Sequence, residues 1–84
     1  AGCTVHWVSV GVDEGAIIGQ AIVPLMRGDT PDRLAARVLI QEHRLYPACL
    51  SAVAKGHAVL RDGRTYFGDK HSALAMMPDG SIVH

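Results

Sequence analysis

The sequence has no excess of either charge: eight Lys and Arg are matched by eight Asp and Glu, so the formal net charge is zero. That balance gives no electrostatic reason to bind nucleic acid or an anionic membrane surface. No apolar run approaches the roughly 20 residues needed to cross a bilayer. No basic start followed by an apolar core and a cleavage site is visible, so no signal peptide is expected. Cysteine is scarce. Cys3 and Cys49 are the only two; they lie far apart without metal-ligand spacing and are expected to be reduced and mostly buried, in a cytoplasmic protein. The five histidines form no HxxxH pair and CxxC is absent, so no metal site is expected. Internal repeats and low-complexity segments are missing too. Eighty-four residues allow one domain or part of one, and so short a chain buries only about 60% of its unfolded surface.

What is present is organised around Val5 to Val23. Val5-His6-Trp7-Val8 reads as a strand, Ser9 to Gly15 as a tight loop, and Ala16 to Val23 as a second strand. Cys3, Val5 and Trp7 alternate with Thr4, His6 and Val8, which is strand periodicity. His6 shares a face with Val8; it is either a satisfied histidine at the edge of the core or a group aimed into a site. The loop holds Asp13 and Glu14 between Gly11 and Gly15. Glycine gives the backbone freedom to turn sharply or approach a ligand. An acid there is either a turn former or a carboxylate presented by a loop on rigid strands. The second strand, with Ala16-Ile17-Ile18 and Ala21-Ile22-Val23, is nearly continuous apolar sequence. Such strands are usually covered on both faces. The chain offers one good helix, enough for one face, so the sequence asks for more protein than it contains.

Thr30-Pro31-Asp32 is a helix start, with Thr as N-cap, Pro at the first helical position and an acid in the first turn. The helix is expected to run to about Lys55, with Gly56 as its left-handed cap. Pro47 is expected to kink it, or two helical pieces meet near Tyr46. At about 100° per residue, with Leu34 at zero, Leu34, Val38, Leu39, Leu45, Tyr46, Cys49, Leu50 and Val53 fill an arc of about 160°. Arg33, Arg37, Gln41, Arg44, Ser51 and Lys55 lie opposite. Glu42 falls at about 80°, in the middle of the apolar arc. An unpaired buried carboxylate is costly, so Glu42 either has a partner from another segment or a ligand, or is turned to solvent by the Pro47 kink. Beyond the helix, Asp62-Gly63 between His57–Arg61 and Arg64–Phe67 is a hairpin signal, to which no chemistry is assigned. From Gly68 the pattern weakens, with a further turn at Pro78-Asp79-Gly80 between Ala75-Met76-Met77 and Ser81-Ile82-Val83.

Together these residues resemble the C-terminal half of the phosphoribosylglycinamide formyltransferase family, folate-dependent enzymes of purine biosynthesis. The resemblance runs through Thr4-Val5-His6-Trp7-Val8, Val12-Asp13-Glu14-Gly15-Ala16-Ile17-Ile18, Gln20, Val23-Pro24, Gly28-Asp29-Thr30, Ala36-Arg37-Val38, Gln41-Glu42-His43 and Tyr46-Pro47. Ala16 stands where the family usually has Pro. Formyltetrahydrofolate deformylases share the Asp-x-Gly loop, but the Gln41-Glu42-His43 helix fits them poorly.

The resemblance implies an α/β fold: the mixed-sheet portion, strand-loop-strand-helix-hairpin, of a three-layer formyltransferase domain, with 1–67 matched and 68–84 an unmatched tail. It implies formyl transfer from 10-formyltetrahydrofolate to glycinamide ribonucleotide. Asp13 matches the catalytic aspartate, which pairs with a histidine. Ser9, Val10, Gly11, Val12 and Asp13 match the segment that holds the pterin of the folate. Leu39, Ile40, Gln41 and Glu42 match the segment lining the nucleotide site, and His6 is a further candidate. The family's catalytic Asn and His, two positions apart, belong to its N-terminal half, and this chain has no asparagine. The chain therefore reads as half an active site, inactive without an N-terminal half from the same enzyme or a second copy of the chain. The alternative is a non-catalytic module that packs against a partner chain.

Overall fold

A computed structural model of the chain describes residues 1–7 and 16–83. In chain order these form β1 (Gly2–His6), β2 (Ile17–Ile22), α1 (Pro31–Ala54), β3 (Ala58–Arg61), β4 (Arg64–Phe67), β5 (Lys70–His71), β6 (Leu74–Met76) and β7 (Ile82–Val83). The main sheet has the order β1-β2-β6-β7, and β3-β4-β5 form a second, smaller sheet. β1 and β2 are antiparallel, with Cys3 opposite Ala21 and Val5 opposite Gly19, and the register shifts between Val5 and His6. β6 runs parallel to β2, placing Leu74 beside Gly19 and Met76 beside Ala21. A parallel pair needs a long crossover, and α1 lies within it. The architecture is the expected α/β mixed sheet.

The helix ends follow their sequence signals. The Thr30 side chain accepts a 3.2 Å bond from the Arg33 N–H, satisfying one of the unpaired donors of the first turn. At the far end Gly56 takes φ 74°. The Gly56 N–H then bonds the Val53 carbonyl and the His57 N–H the Ala52 carbonyl, the pattern that closes a helix on a left-handed residue. The two-piece alternative does not hold: α1 is one helix through Pro47, with the buried Leu45 and Cys49 on either side of the proline packed into the core. The Asp62-Gly63 hairpin forms as expected, both residues having positive φ (51° and 73°), as a two-residue turn of this kind requires.

The core brings Ile18 and Ala21 of β2 together with Leu45, Cys49 and Ala52 of α1 and Leu74 and Met76 of β6. The tail after Phe67, whose pattern is weak in sequence, thus supplies two strands of the main sheet and two core side chains. Gly19 shows how closely helix and sheet approach. A Cβ there would lie 2.6 Å from Cys49 Sγ and 3.3 Å from Leu45 Cδ1, so only glycine lets α1 sit this low on β2. Thr4, Gln20 and Ile22 are exposed, and Gln20 reaches Thr4 Oγ1 across the strand pair at 3.5 Å. Within the described residues α1 covers one face of β1 and β2 and leaves this second face open.

Candidate active site

Of the sequence-predicted site residues, Ser9, Val10, Gly11, Val12 and Asp13 lie outside the described residues; their stems do not. The Trp7 N–H bonds the Ala16 carbonyl at 2.9 Å, joining the strand that leaves the sheet to the strand that returns. The Trp7 indole donates to Thr65 Oγ1 at 3.0 Å, and the Thr65 hydroxyl donates to the Ile17 carbonyl at 2.6 Å. His6 is exposed and its Nδ1 is 3.0 Å from the Trp7 carbonyl, so it is not a histidine buried at the edge of the core.

Between β1 and α1 runs an open seam. One end is a cleft of about 570 Å³ whose lining includes Thr4, Val5, Glu42, His43, Tyr46 and Pro47. The other is a cavity of about 240 Å³ between Val5, His6, Trp7, Tyr46 and Leu50. Val5 and Tyr46 line both, so the seam leads from Glu42 to the stem at Trp7. Proline has no N–H, so Pro47 cannot bond the His43 carbonyl one turn back, and both residues line the larger cleft. Burial pushes the Cys3 thiol above its ordinary value, and the charge on Glu42 adds to the rise. Cys3 and Glu42 both line this cleft.

Glu42 is exposed, not buried in the apolar arc. Leu45, Cys49 and Ala52 face the sheet together with Gln41, which by the same 100° spacing centres the buried stripe near 20°, not 80°. Glu42 therefore stands on the flank of the stripe, at the mouth of the cleft. Gln41, read as polar and outward, is 4% exposed. Its Nε2 donates to the Ile22 carbonyl at 3.2 Å and the Met77 carbonyl at 2.9 Å, while its Oε1 accepts from Arg44. It clamps the end of β2 to the end of β6. Leu39 and Ile40 are about half exposed. Ile40 and Gln41 line a separate cavity of about 260 Å³ beside Arg37 and Arg44. The four consecutive residues 39–42 are thus not gathered at one site, because successive helical side chains point about 100° apart; Glu42 alone lines the large cleft.

Two contributors escaped sequence reasoning. Thr65 sits in a hairpin that looks purely structural, and nothing local in Arg64-Thr65-Tyr66 marks it. Asp29 and Arg37 form a two-pronged ion pair, and Asp29 also accepts from the Met26 N–H at 2.8 Å, so the turn before α1 is fastened to the helix. The eight-residue spacing of an acid and a base across a helix start was the available signal.

Comparison with known proteins places this geometry in context. The family described as formyl transferase matches residues 1–50. The trifunctional purine biosynthetic protein adenosine-3 of Homo sapiens is 53% identical over 55 residues, 66% of this chain and 5% of that protein. The chloroplastic phosphoribosylglycinamide formyltransferase of Vigna unguiculata is 41% identical over 61 residues, 73% of this chain and 20% of that protein. The chain thus spans only a small part of the relatives it matches. Among solved structures, the phosphoribosylglycinamide formyltransferase of Anaplasma phagocytophilum superposes with a TM-score of 0.73 at 36% identity, over 88% of this chain and 36% of that one. The glycinamide ribonucleotide transformylase 1 of Symbiobacterium toebii gives 0.67 at 48% identity, over 79% and 31%. The structural likeness reaches past residues 1–50 into the hairpin and tail. By its sequence and its fold, this chain belongs to the formyl transferase family.

Proposed function

We propose that the protein carrying this chain transfers the formyl group of 10-formyltetrahydrofolate to the amine of glycinamide ribonucleotide in purine biosynthesis, and that this chain forms one wall of the active site. The observation that supports this most is the seam. It joins Glu42, the expected nucleotide contact, to the stem of the segment that carries Asp13. A cleft of about 570 Å³ is of the size that takes small-molecule ligands. Its lining mixes apolar walls with Thr4, Glu42 and His43, as such sites require. Glu42 would accept hydrogen bonds from the nucleotide's hydroxyls or amine, a charge-assisted contact. The assignment of Ser9 to Asp13 to the folate rests on their sequence match.

In the reaction the amine attacks the formyl carbon, a C–N bond forms, and a tetrahedral intermediate carries negative charge on oxygen. The N10–C bond then breaks, and the proton lost by the amine is delivered to N10. The oxyanion needs a donor and the amine a proton acceptor. An aspartate, which ordinarily titrates at about pH 3.9, is ionised at neutral pH and favours the charged form of an imidazole beside it. Asp13 would do this for a histidine that, with an asparagine, comes from the rest of the domain. Two unpaired cysteines suit a reducing compartment, for which the cytoplasm is the simplest assignment.

The second reading, a non-catalytic module packed against a partner chain, is favoured by the open sheet face at Thr4, Gln20 and Ile22. The two separate cleanly. The 84-residue chain alone should show no formyl transfer, and adding an N-terminal half with its Asn and His should restore turnover. Titration of the whole protein with nucleotide and with folate should show binding of each; binding of neither favours the module, and turnover by the isolated chain contradicts the shared site.

A further inference from the structure

Thr65 is 4% exposed and spends its hydroxyl twice, accepting from the Trp7 indole at 3.0 Å and donating to the Ile17 carbonyl at 2.6 Å. Trp7 and Ile17 stand at the two stems of segment 8–15, already joined by the bond between the Trp7 N–H and the Ala16 carbonyl. A residue 48 positions away from Ile17 in sequence therefore ties the outgoing stem to the returning one. A hydroxyl can give and accept at the same time, whereas an indole N–H only donates and a carbonyl only accepts. Thr65 is itself held on β4, between Leu60 of β3 and the Ser72 N–H, which bonds its carbonyl at 3.3 Å. We infer that Thr65 is a positioning residue: it fixes the two stems from which the Asp13 segment springs, and so couples the β3–β4 hairpin to catalysis. This rests on the role proposed for Asp13 above. A displacement of about 1 Å at a reacting group can cost up to a hundredfold in rate, so a cross-link that holds both stems bears directly on turnover.

The test compares Thr65→Val, Thr65→Ser and Trp7→Phe in the full-length protein that carries this sequence. Thr65→Val keeps shape and loses the hydroxyl, and is expected to lower kcat about tenfold to a hundredfold while KM for the nucleotide stays within about twofold. Thr65→Ser keeps the hydroxyl and should keep kcat near the parent's, and Trp7→Phe, which removes the indole donor together with packing volume against the core, should lower kcat as well. Exchange of the Trp7 indole proton with solvent, followed by NMR, reads the cross-link without any activity. It should quicken in Thr65→Val and not in Thr65→Ser. Equal kcat for the Val and Ser variants, or a loss no larger than the loss of folded protein, overturns the positioning role. Indole exchange unaltered in Thr65→Val overturns the cross-link itself. A parent protein that exchanges as expected but transfers no formyl group overturns instead the role of Asp13, and with it the coupling to catalysis.

Discussion

The two flanks of α1 differ sharply although one continuous apolar arc in the sequence covers both. On the sheet-facing flank Leu45 and Cys49 are 0% and 1% exposed. On the other, Leu39, Tyr46 and Leu50 are 50%, 60% and 58% exposed, with Glu42 among them at the mouth of the β1–α1 cleft. The first flank holds the domain together. The second leaves apolar surface and a carboxylate facing open space along the seam. A helix whose apolar arc is wider than its buried stripe has surface left over for a ligand or another part of the protein. A carboxylate within that surplus marks where to look.

Three substitutions probe the contrast. Leu45→Ala removes a fully buried side chain and should cost about 2–5 kcal/mol of stability, read as a lowered denaturation midpoint in the whole protein. A midpoint left unmoved by Leu45→Ala would erase the distinction between the flanks. Glu42→Gln should do the reverse. A charge-assisted hydrogen bond lost from a site is worth about 1.5–3 kcal/mol, roughly a tenfold to hundredfold weaker Kd for the nucleotide, with folate binding and the midpoint unmoved. Calorimetry with each ligand separately checks this, and equal losses for both ligands would make Glu42 structural. Gly19→Ala sharpens the account of the sheet-facing flank. Its Cβ would meet Cys49 Sγ, and overpacking of this kind costs about 1–3 kcal/mol. The penalty should shrink when Cys49→Ala is added, and a double-mutant cycle that finds the two additive would show that α1 does not sit as low on β2 as described.

Much of the fold is legible in the sequence because its signals are local. Thr30 and Pro31 start α1, Gly56 ends it, and Asp62-Gly63 turns the hairpin, each through chemistry confined to a few residues. Gln41 misleads because an amide counts as polar in a helical pattern, yet its partners are carbonyls 19 and 36 positions away that satisfy it in the core. The pairing of β6 with β2 is likewise non-local, and a three-residue strand such as Leu74–Met76 carries too little pattern to announce it. For Glu42 the sequence points to the right side of the helix but the wrong depth. Periodicity gives angles around the axis, while the tilt of α1 on the sheet, set in part by Gly19, decides which angles are buried. Thr65 has no local signal at all, since its role arises from contacts with Trp7 and Ile17 that only the folded chain creates.

The central proposal is that this chain brings the carboxylates of Asp13 and Glu42 to one wall of a shared formyl-transfer site. Asp13→Asn is nearly isosteric and removes only the charge. In the whole protein, kcat measured against pH for both forms tests the claim most directly, with the denaturation midpoint and nucleotide affinity as controls. Without the carboxylate, the partner histidine's pKa should fall towards about 6.5, so that less of it is charged at neutral pH. Loss of a positioned proton-transfer group should lower kcat about 10²- to 10⁴-fold, with both controls unchanged. A variant that turns over within about threefold of the parent, well short of that loss, would make Asp13 a turn former and contradict the account.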